Sequence, residues 1–454
     1  MVIIIQSILL IIIGILLFAL IIFIHEFGHF ITAKKSGVKV NEFAIGMGPK
    51  IFGFVKGETK YTLRLLPIGG YCAMEGEDCE SNDPNAFYNV KVWKRMIIVI
   101  AGAIMNILLG FVLMLIVLVQ EPYFSSTTIA SFPELSFSAN CGLQVNDKIL
   151  KINDTSIVSA RDISYAIQTS ELKTVDGTTL QIYKEDCSVE LYKTFATNVN
   201  DKYEKYSDIP SEITDTLNNY ISKINTSTTK DEAKIYYNQG CIEIAKLLGN
   251  TTVDIAGIET RVERQRYNAD LIVLRDGEKV ELKNVDFYTY YAGDENISVA
   301  IDFYVSPIEK TPITVITQTF KETISTVKTI WSSLIGMLQG KFGLNDISGP
   351  IGATSAIVQA TSQGLENSFI DGLNNLIFMM MVITVNLGIV NMLPFPALDG
   401  GRFVLLLIEA IFKKSLPQKY EGYINAAGLI ILLSFMVFIS FKDVFKIIGG
   451  SNGF

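Results

Sequence analysis

The chain has 454 residues, with 38 Lys and Arg against 46 Asp and Glu for a formal net charge of −8, and 49% of its side chains are hydrophobic. That length calls for several domains, and the acidic balance leaves no reason to expect a nucleic-acid partner. Five cysteines (Cys72, Cys79, Cys141, Cys187, Cys241) form no C-x-x-C pair, which excludes a zinc ribbon and a disulfide-dense scaffold; Cys187 and Cys241 are the two that could pair in an oxidising compartment.

Val2 to Ile24 is almost unbroken hydrocarbon, with Gln6 and Ser7 its only clearly polar side chains. At 1.5 Å per residue it can cross a bilayer core of about 30 Å. It has no basic n-region and no A-x-A site, so a span is expected over 1–30 and not a cleaved leader. The run ends in His25-Glu26-Phe27-Gly28-His29, and its helix should continue through that motif. In H-E-x-x-H the positions i and i+4 share one helical face, so two imidazoles can hold a zinc ion with Glu26 beside it as proton acceptor. The chain has two histidines and both are here. Chance placement on an interfacial helix is therefore the weaker explanation.

Residues 31–95 are rich in Lys and Arg, which by the positive-inside rule makes this loop cytoplasmic and starts the N-terminus outside. Lys60 to Leu65 alternates like a strand after a Gly57-Glu58 turn, Pro67-Ile68-Gly69-Gly70-Tyr71 follows, and Phe43 to Pro49 is a second extended piece punctuated by Gly46 and Gly48. A hairpin with a free edge can accept a peptide as an extra strand. A second span is expected over 96–119. Gly102, Asn106 and Gly110 recur every four residues there, a stripe suited to close helix packing, with Asn106 hydrogen-bonding across the contact.

Residues 120–310 contain no convincing span, and the topology places them outside. Gly142 to Asp154 (G-L-Q-V-N-D-K-I-L-K-I-N-D) resembles the core of bacterial PDZ domains, with Asn146 and Asp154 where that pattern carries glycine. Ala160 to Ile167 fits the short helix that follows it. Leu271 to Leu282, with Arg275-Asp276-Gly277 as a hairpin turn, fits the closing strands. Between them lies an insertion at about 171–264, helical in rhythm around 210–248. In 311–370 an amphipathic helix over 311–339 presents one apolar stripe, suited to the membrane or to the underside of the outer domain, and Ile347-Ser348-Gly349-Pro350-Ile351-Gly352 makes a sharp turn. A third span over 371–402 runs into Asn391-Met392-Leu393-Pro394-Phe395-Pro396-Ala397-Leu398-Asp399-Gly400-Gly401, where prolines and glycines must break the helix. Irregular backbone at membrane depth is tolerated when it lines an enclosed cavity. Lys413, Lys414 and Lys419 mark 403–422 as a cytoplasmic loop, and a fourth span over 423–445 returns outward.

Two histidines leave a catalytic zinc one protein ligand short. Asp399, the one acidic residue between Gly372 and Ile408, is the first candidate. Cys72 or Cys79 is a weaker choice, and Glu75 or Glu77 a third. Zinc held there would make water acidic enough to attack and polarise a peptide carbonyl, with Glu26 moving the proton.

These motifs together resemble the bacterial site-2 proteases of the RseP type, intramembrane zinc metalloproteases. The likeness covers nearly the whole chain: H-E-F-G-H, P-I-G-G-Y, A-G-A-I-M-N, the PDZ-like core, S-G-P-I-G and N-M-L-P-F-P-A-L-D-G-G. It implies an α-helical polytopic membrane protein with four transmembrane helices, a cytoplasmic membrane-associated β-hairpin and an extracytoplasmic PDZ-like α+β domain carrying a large insertion. It implies a bacterial cytoplasmic membrane, with both termini and the PDZ-like domain outside. It implies His25, His29 and Asp399 as zinc ligands, Glu26 as catalyst, Asn391 as a substrate-holding group, and strand pairing between substrate and the segments of Gly46, Gly48, Gly69 and Gly70. Its implied substrates are single-span membrane proteins, trimmed outside by a site-1-type protease, such as anti-sigma factors or signal-peptide remnants; a PDZ-like filter would exclude untrimmed ones. Two other classes compete: a non-catalytic receptor or scaffold that binds tails through the PDZ-like domain, and a metal transporter, which a lone His pair without a series of polar spans makes the less suitable.

Overall fold

The computed structural model describes residues 2–77, 81–133, 136–176, 179–200, 202–203, 208–249, 255, 263–292, 296–340, 349–414 and 417–448. In chain order its elements begin with α1 (Val2–Ser36), β1 (Val40–Lys56), β2 (Thr59–Met74) and α2 (Val92–Leu118). Then come β3 (Tyr123–Ser131), α3 (Phe137–Asn140), β4 (Lys148–Ile152), β5 (Thr155–Ser156), α4 (Ala160–Gln168) and β6 (Glu171–Asp176). The helices α5 (Leu180–Asn200), α6 (Ser211–Thr226) and α7 (Lys230–Leu247) precede β7 (Glu263–Arg275), β8 (Glu278–Ala292), β9 (Asn296–Ala300) and β10 (Tyr304–Glu309). The chain closes with α8 (Pro312–Leu338), α9 (Pro350–Asn367), α10 (Phe369–Asn391), α11 (Asp399–Phe412) and α12 (Gln418–Ile448). These fall into two compact units, Met1–Pro122 with Lys310–Phe454, and Tyr123–Glu309.

In the first unit, four helices among the described residues are long and apolar enough to cross a membrane, within α1, α2, α10 and α12. The helix α1 runs past residue 30 to Ser36. No breaker intervenes before Gly37, which takes φ +83°, and Lys34 and Lys35 suit the negative end of the helix dipole. Small residues set the helix spacing. A Cβ on Gly28 would lie 2.6 Å from Ala101 O, and one on Gly110 would lie 2.4 Å from Val385 Cγ2, so α2 meets α1 and α10 at backbone distance. The strands β1 and β2 turn at Gly57 and fold further on themselves. Phe52 to Lys56 pair with Thr59 to Leu63, while Glu42 to Ile45 pair both with Lys60 to Leu63 and with Gly70 to Ala73.

Two expectations need correction here. Residues 403–412 are not loop but most of α11, because the run after Gly401 holds no breaker until Lys413, which ends the helix at φ +55°. The S-G-P-I-G turn starts a helix, α9, with Pro350 in its first turn; Ile347 and Ser348 lie outside the described residues. Asp443 of α12 caps this helix, with Oδ2 accepting from the Gly349 and Gly352 N–H groups at 2.8 Å each. About four turns earlier in α12, Gly428 sits so close to Pro396 that an added Cβ would be 2.5 Å from its Cβ.

The second unit is an eight-stranded sheet in the order β10-β3-β4-β7-β8-β9, with β5 on β4 and β6 on β7. The β7–β8 hairpin turns at Asp276 (φ +51°) and Gly277 (φ +86°), the left-handed pair a tight two-residue turn demands. Asn146 takes φ +71° without being glycine, a conformation its side chain tolerates better than most. Asp162 closes a capping box on Ser159 at the start of α4. The insertion is more ordered than its sequence rhythm indicated. It forms a three-helix bundle, α5 to α7, around Leu191, Phe195, Leu217, Ile224 and Tyr237, and α5 lies outside the rhythmic stretch. Cys187 and Cys241 are both buried free thiols within it.

Candidate metal centre

One face of α1 carries His25 and His29 a turn apart, and both are buried. The third group comes from a remote stretch. After α10 stops at Asn391, Pro394 and Pro396 deny the backbone a helix, Ala397 takes φ +75°, and α11 restarts at Asp399. Glycines are required at this fold-back: a Cβ on Gly400 would stand 2.2 Å from Leu393 O, and one on Gly401 2.3 Å from Phe395 O. The turn brings Asp399 Oδ2 to 3.3 Å from His25 Nε2 and 3.3 Å from His29 Nε2, and the two Nε2 atoms are 3.3 Å apart. An equilateral triangle of that edge is one face of a tetrahedron whose centre lies about 2.0 Å from each corner, the bond length of zinc to nitrogen and oxygen ligands. Asp399 Oδ2 is buried with no hydrogen bond, a costly state for a carboxylate unless a cation faces it. Donor set, spacing and the orphaned oxygen all fit zinc.

Neighbouring groups orient the rings. His29 Nδ1 lies 2.8 Å from Ile98 O; donating there leaves the Nε2 lone pair for the metal. The Asn106 amide faces His25 Nδ1 at 3.3 Å. Turned half-way about its last bond, it presents Oδ1, which is buried with no partner, to accept the Nδ1 proton. Gly102 leaves room for both rings: a Cβ there would be 2.4 Å from His29 Nε2 and 2.7 Å from His25 Cε1. The Asn391 Nδ2 lies 3.3 Å from His25 Nε2. Glu26 is half-buried on α1, and its Cγ would be 3.3 Å from a Cβ on Gly70, which is itself hemmed in by Ala44 O. So β2 passes close beside the Glu26 side chain, with little room for a larger residue at Gly70.

The remaining candidates separate from this cluster. Cys72 is buried among apolar side chains around Phe43 and is not among the groups that converge on one point with the two imidazoles; burial, with Glu26 and Glu77 nearby, pushes its thiol well above the ordinary range. Glu75 accepts from Asn41 and Ser81, and Glu77 pairs with Arg402. Cys79 lies outside the described residues. Gly46 and Gly48 sit at the bend of β1 with φ of +83° and +84°, and Gly69 packs on Met47 with φ +88°. The packing stripe of α2 is thus also the wall of the site: Gly102 and Asn106 were visible as a spacing of four, but nothing in α2 alone tells that α1 would present its imidazoles there.

Spanning helices around a buried His-His-carboxylate cluster define a membrane metalloenzyme. More specifically, the chain belongs to peptidase family M50, whose sequence pattern matches residues 13–435, and is a zinc metalloendopeptidase. It is 30% identical over 435 residues to a Clostridium acetobutylicum protein named as a candidate zinc metalloprotease, covering 96% of this chain and 97% of that one. It is 28% identical over 442 residues to zinc metalloprotease RasP of Bacillus licheniformis, covering 95% and 97%. With the RasP of Oceanobacillus iheyensis it shares 24% over 435 residues, covering 95% and 97%.

Proposed function

We propose that this enzyme cuts within the transmembrane segment of single-span membrane proteins that another protease has already trimmed, of the kind exemplified by anti-sigma factors and signal-peptide remnants. The observation that carries the reading is the 3.3 Å triangle of His25, His29 and Asp399, set between α1, a helix of membrane-spanning length, and the start of α11, just past the fold-back that ends α10. These three residues hold the zinc, which when bound supplies Lewis acidity toward water and a peptide carbonyl. Glu26 takes a proton from the attacking water and delivers it to the leaving amine. Asn391, beside His25, holds the scissile carbonyl.

A membrane helix hides its peptide bonds in its own hydrogen bonds and must unwind before attack. The segments of Gly46, Gly48, Gly69 and Gly70 support the unwound stretch as an added strand. The sheet unit is read as an extracytoplasmic PDZ-like domain that limits substrate size, with both termini on the same side of a bacterial cytoplasmic membrane. A non-catalytic receptor is not favoured, since it gives no use to an orphaned carboxylate between two imidazoles. The test is Glu26→Gln expressed in the native membrane. It should retain zinc, stay folded and accumulate trimmed membrane fragments. Continued cleavage by the purified variant overturns the assignment.

A further inference from the structure

The helix α8 has its polarity reversed for a surface in water. Gln318, Thr319, Glu322, Thr323 and Thr326 are buried, while Ile313, Ile316, Phe320, Ile324, Trp331 and Leu338 are exposed, Ile313 at 75%. An amphipathic helix at a water-facing surface turns its apolar stripe inward. The opposite arrangement suits a helix whose outer face meets hydrocarbon.

The depth of α8 follows from α2. Lys310 Nζ donates to Val119 O at 2.6 Å, so α8 begins beside the C-terminal end of that span. Two turns on, the Phe320 ring meets Phe111, two turns back along α2, with centroids 4.6 Å apart. The helices therefore run side by side in opposite senses here, and Phe320 lies about 12 Å in from the end of α2, at 1.5 Å per residue. The helix α2 has the same polarity, with Ile104, Leu108, Val112 and Ile116 outward and Gly102, Asn106 and Gly110 inward. Both helices face the same medium. Glu322, buried and accepting from Gln318 Nε2 at 3.2 Å, is turned toward the protein, where a carboxylate at that depth must be satisfied.

We infer that α8 is a fifth membrane-embedded helix from Ile313 through at least Ile324, its apolar stripe against lipid acyl chains and its polar stripe against α2 and α10. Its mixed composition hides it from a hydropathy scan, because most of the polar residues that lower its average point inward; Thr317 and Lys321 are exposed beside the stripe, and a lysine there can extend its ammonium toward the interface.

The test uses the full chain in phosphatidylcholine vesicles, with or without bromine on the acyl chains. Trp93→Phe leaves Trp331 as the native reporter. In a background that also carries Trp331→Phe, Ile316→Trp and Ile324→Trp report on the stripe. Leu108→Trp on the outer face of α2 is the lipid reference, and Tyr192→Trp, exposed on α5, is the reference for the other unit. Quenching at 316 and 324 of at least half the Leu108→Trp value supports insertion. Quenching below that, toward the Tyr192→Trp value, overturns it and leaves the stripe as a surface for water or for the Tyr123–Glu309 unit. Should the introduced tryptophans disturb folding, native Trp331 is compared with the same two references, with no change made on α8.

Discussion

The α5–α7 bundle and the α1–α2–α10 bundle are both helical, and they are built in opposite senses. In the first, Leu191, Phe195, Ile224 and Tyr237 are fully or almost fully buried, and stability comes from removing apolar surface from water. In the second, large apolar residues such as Leu16, Leu108 and Ile116 lie outward, while glycines and polar groups occupy the seams. Apolar burial drives little association where the surroundings are themselves apolar; close backbone approach and interhelical hydrogen bonds do that work. A catalytic centre of imidazoles and a carboxylate is therefore in keeping with the inside of the second bundle and would be foreign to the first.

The contrast can be broken most sharply at Asp399. Asp399→Ala should lower zinc affinity by more than about 100-fold, beyond the range seen for groups that only orient a ligand, and abolish cleavage. Chelator-competition titration measures the first, and an unchanged melting transition of the α5–α7 bundle would show the two regions to be independent. Gly102→Ala comes next. Its Cβ would overlap His29 Nε2 at 2.4 Å from rigid backbone, so zinc content should fall sharply although only a methyl group is added. Asn106→Leu removes the acceptor for His25 and should cost about 10- to 100-fold in zinc affinity, with Asn106→Asp recovering part of it.

Core truncation sharpens the comparison from the other side. Leu191→Ala should destabilise the α5–α7 bundle by about 2–5 kcal/mol in denaturant unfolding and leave zinc affinity untouched. Leu108→Ala, on the outer face of α2, should cost about 0.5 kcal/mol or less. A large effect of Leu108→Ala would refute the inside-out reading of α2. The smallest effect is one of pH. Burial raises the Glu42 carboxyl, but hydrogen bonds from Thr62, Arg64, Tyr71 and Lys60 outweigh it and hold it at about 2. A depressed carboxylate stabilises the folded form above its unfolded value of 4.5 and loses that contribution as pH falls toward about 2. Amide protection factors around Gly46 to Lys50, corrected for the intrinsic pH dependence of exchange, should therefore fall over that window, and those of Glu42→Gln should be flat across it.

Much of the membrane half was legible in the residues. Long apolar runs identify spans because a bilayer has a fixed thickness, and H-E-x-x-H identifies a metal face because a helix has a fixed repeat. The pairing of Asp399 with the imidazoles rested on topology and on scarcity of other acids, not on local pattern. What stayed hidden was what depends on a neighbour. Asn106 reads as packing glue until α1 is placed against it. The helix α11 reads as loop because lysines beyond it dominate the charge pattern. The helix α8 reads as amphipathic either way, since periodicity shows that a stripe exists but not which medium it faces.

The helix α12 is held at two distant points, Gly428 against Pro396 and Asp443 over the start of α9. Such a pair of anchors turns the intervening stretch into a ruler. Removing a single residue between them would swing Asp443 about 100° around the axis and pull it back about 1.5 Å, so the cap and the proline contact could not both be met. Most side chains along that stretch are exposed and free to vary in kind, Ile439 against Gly349 excepted, but its length is fixed.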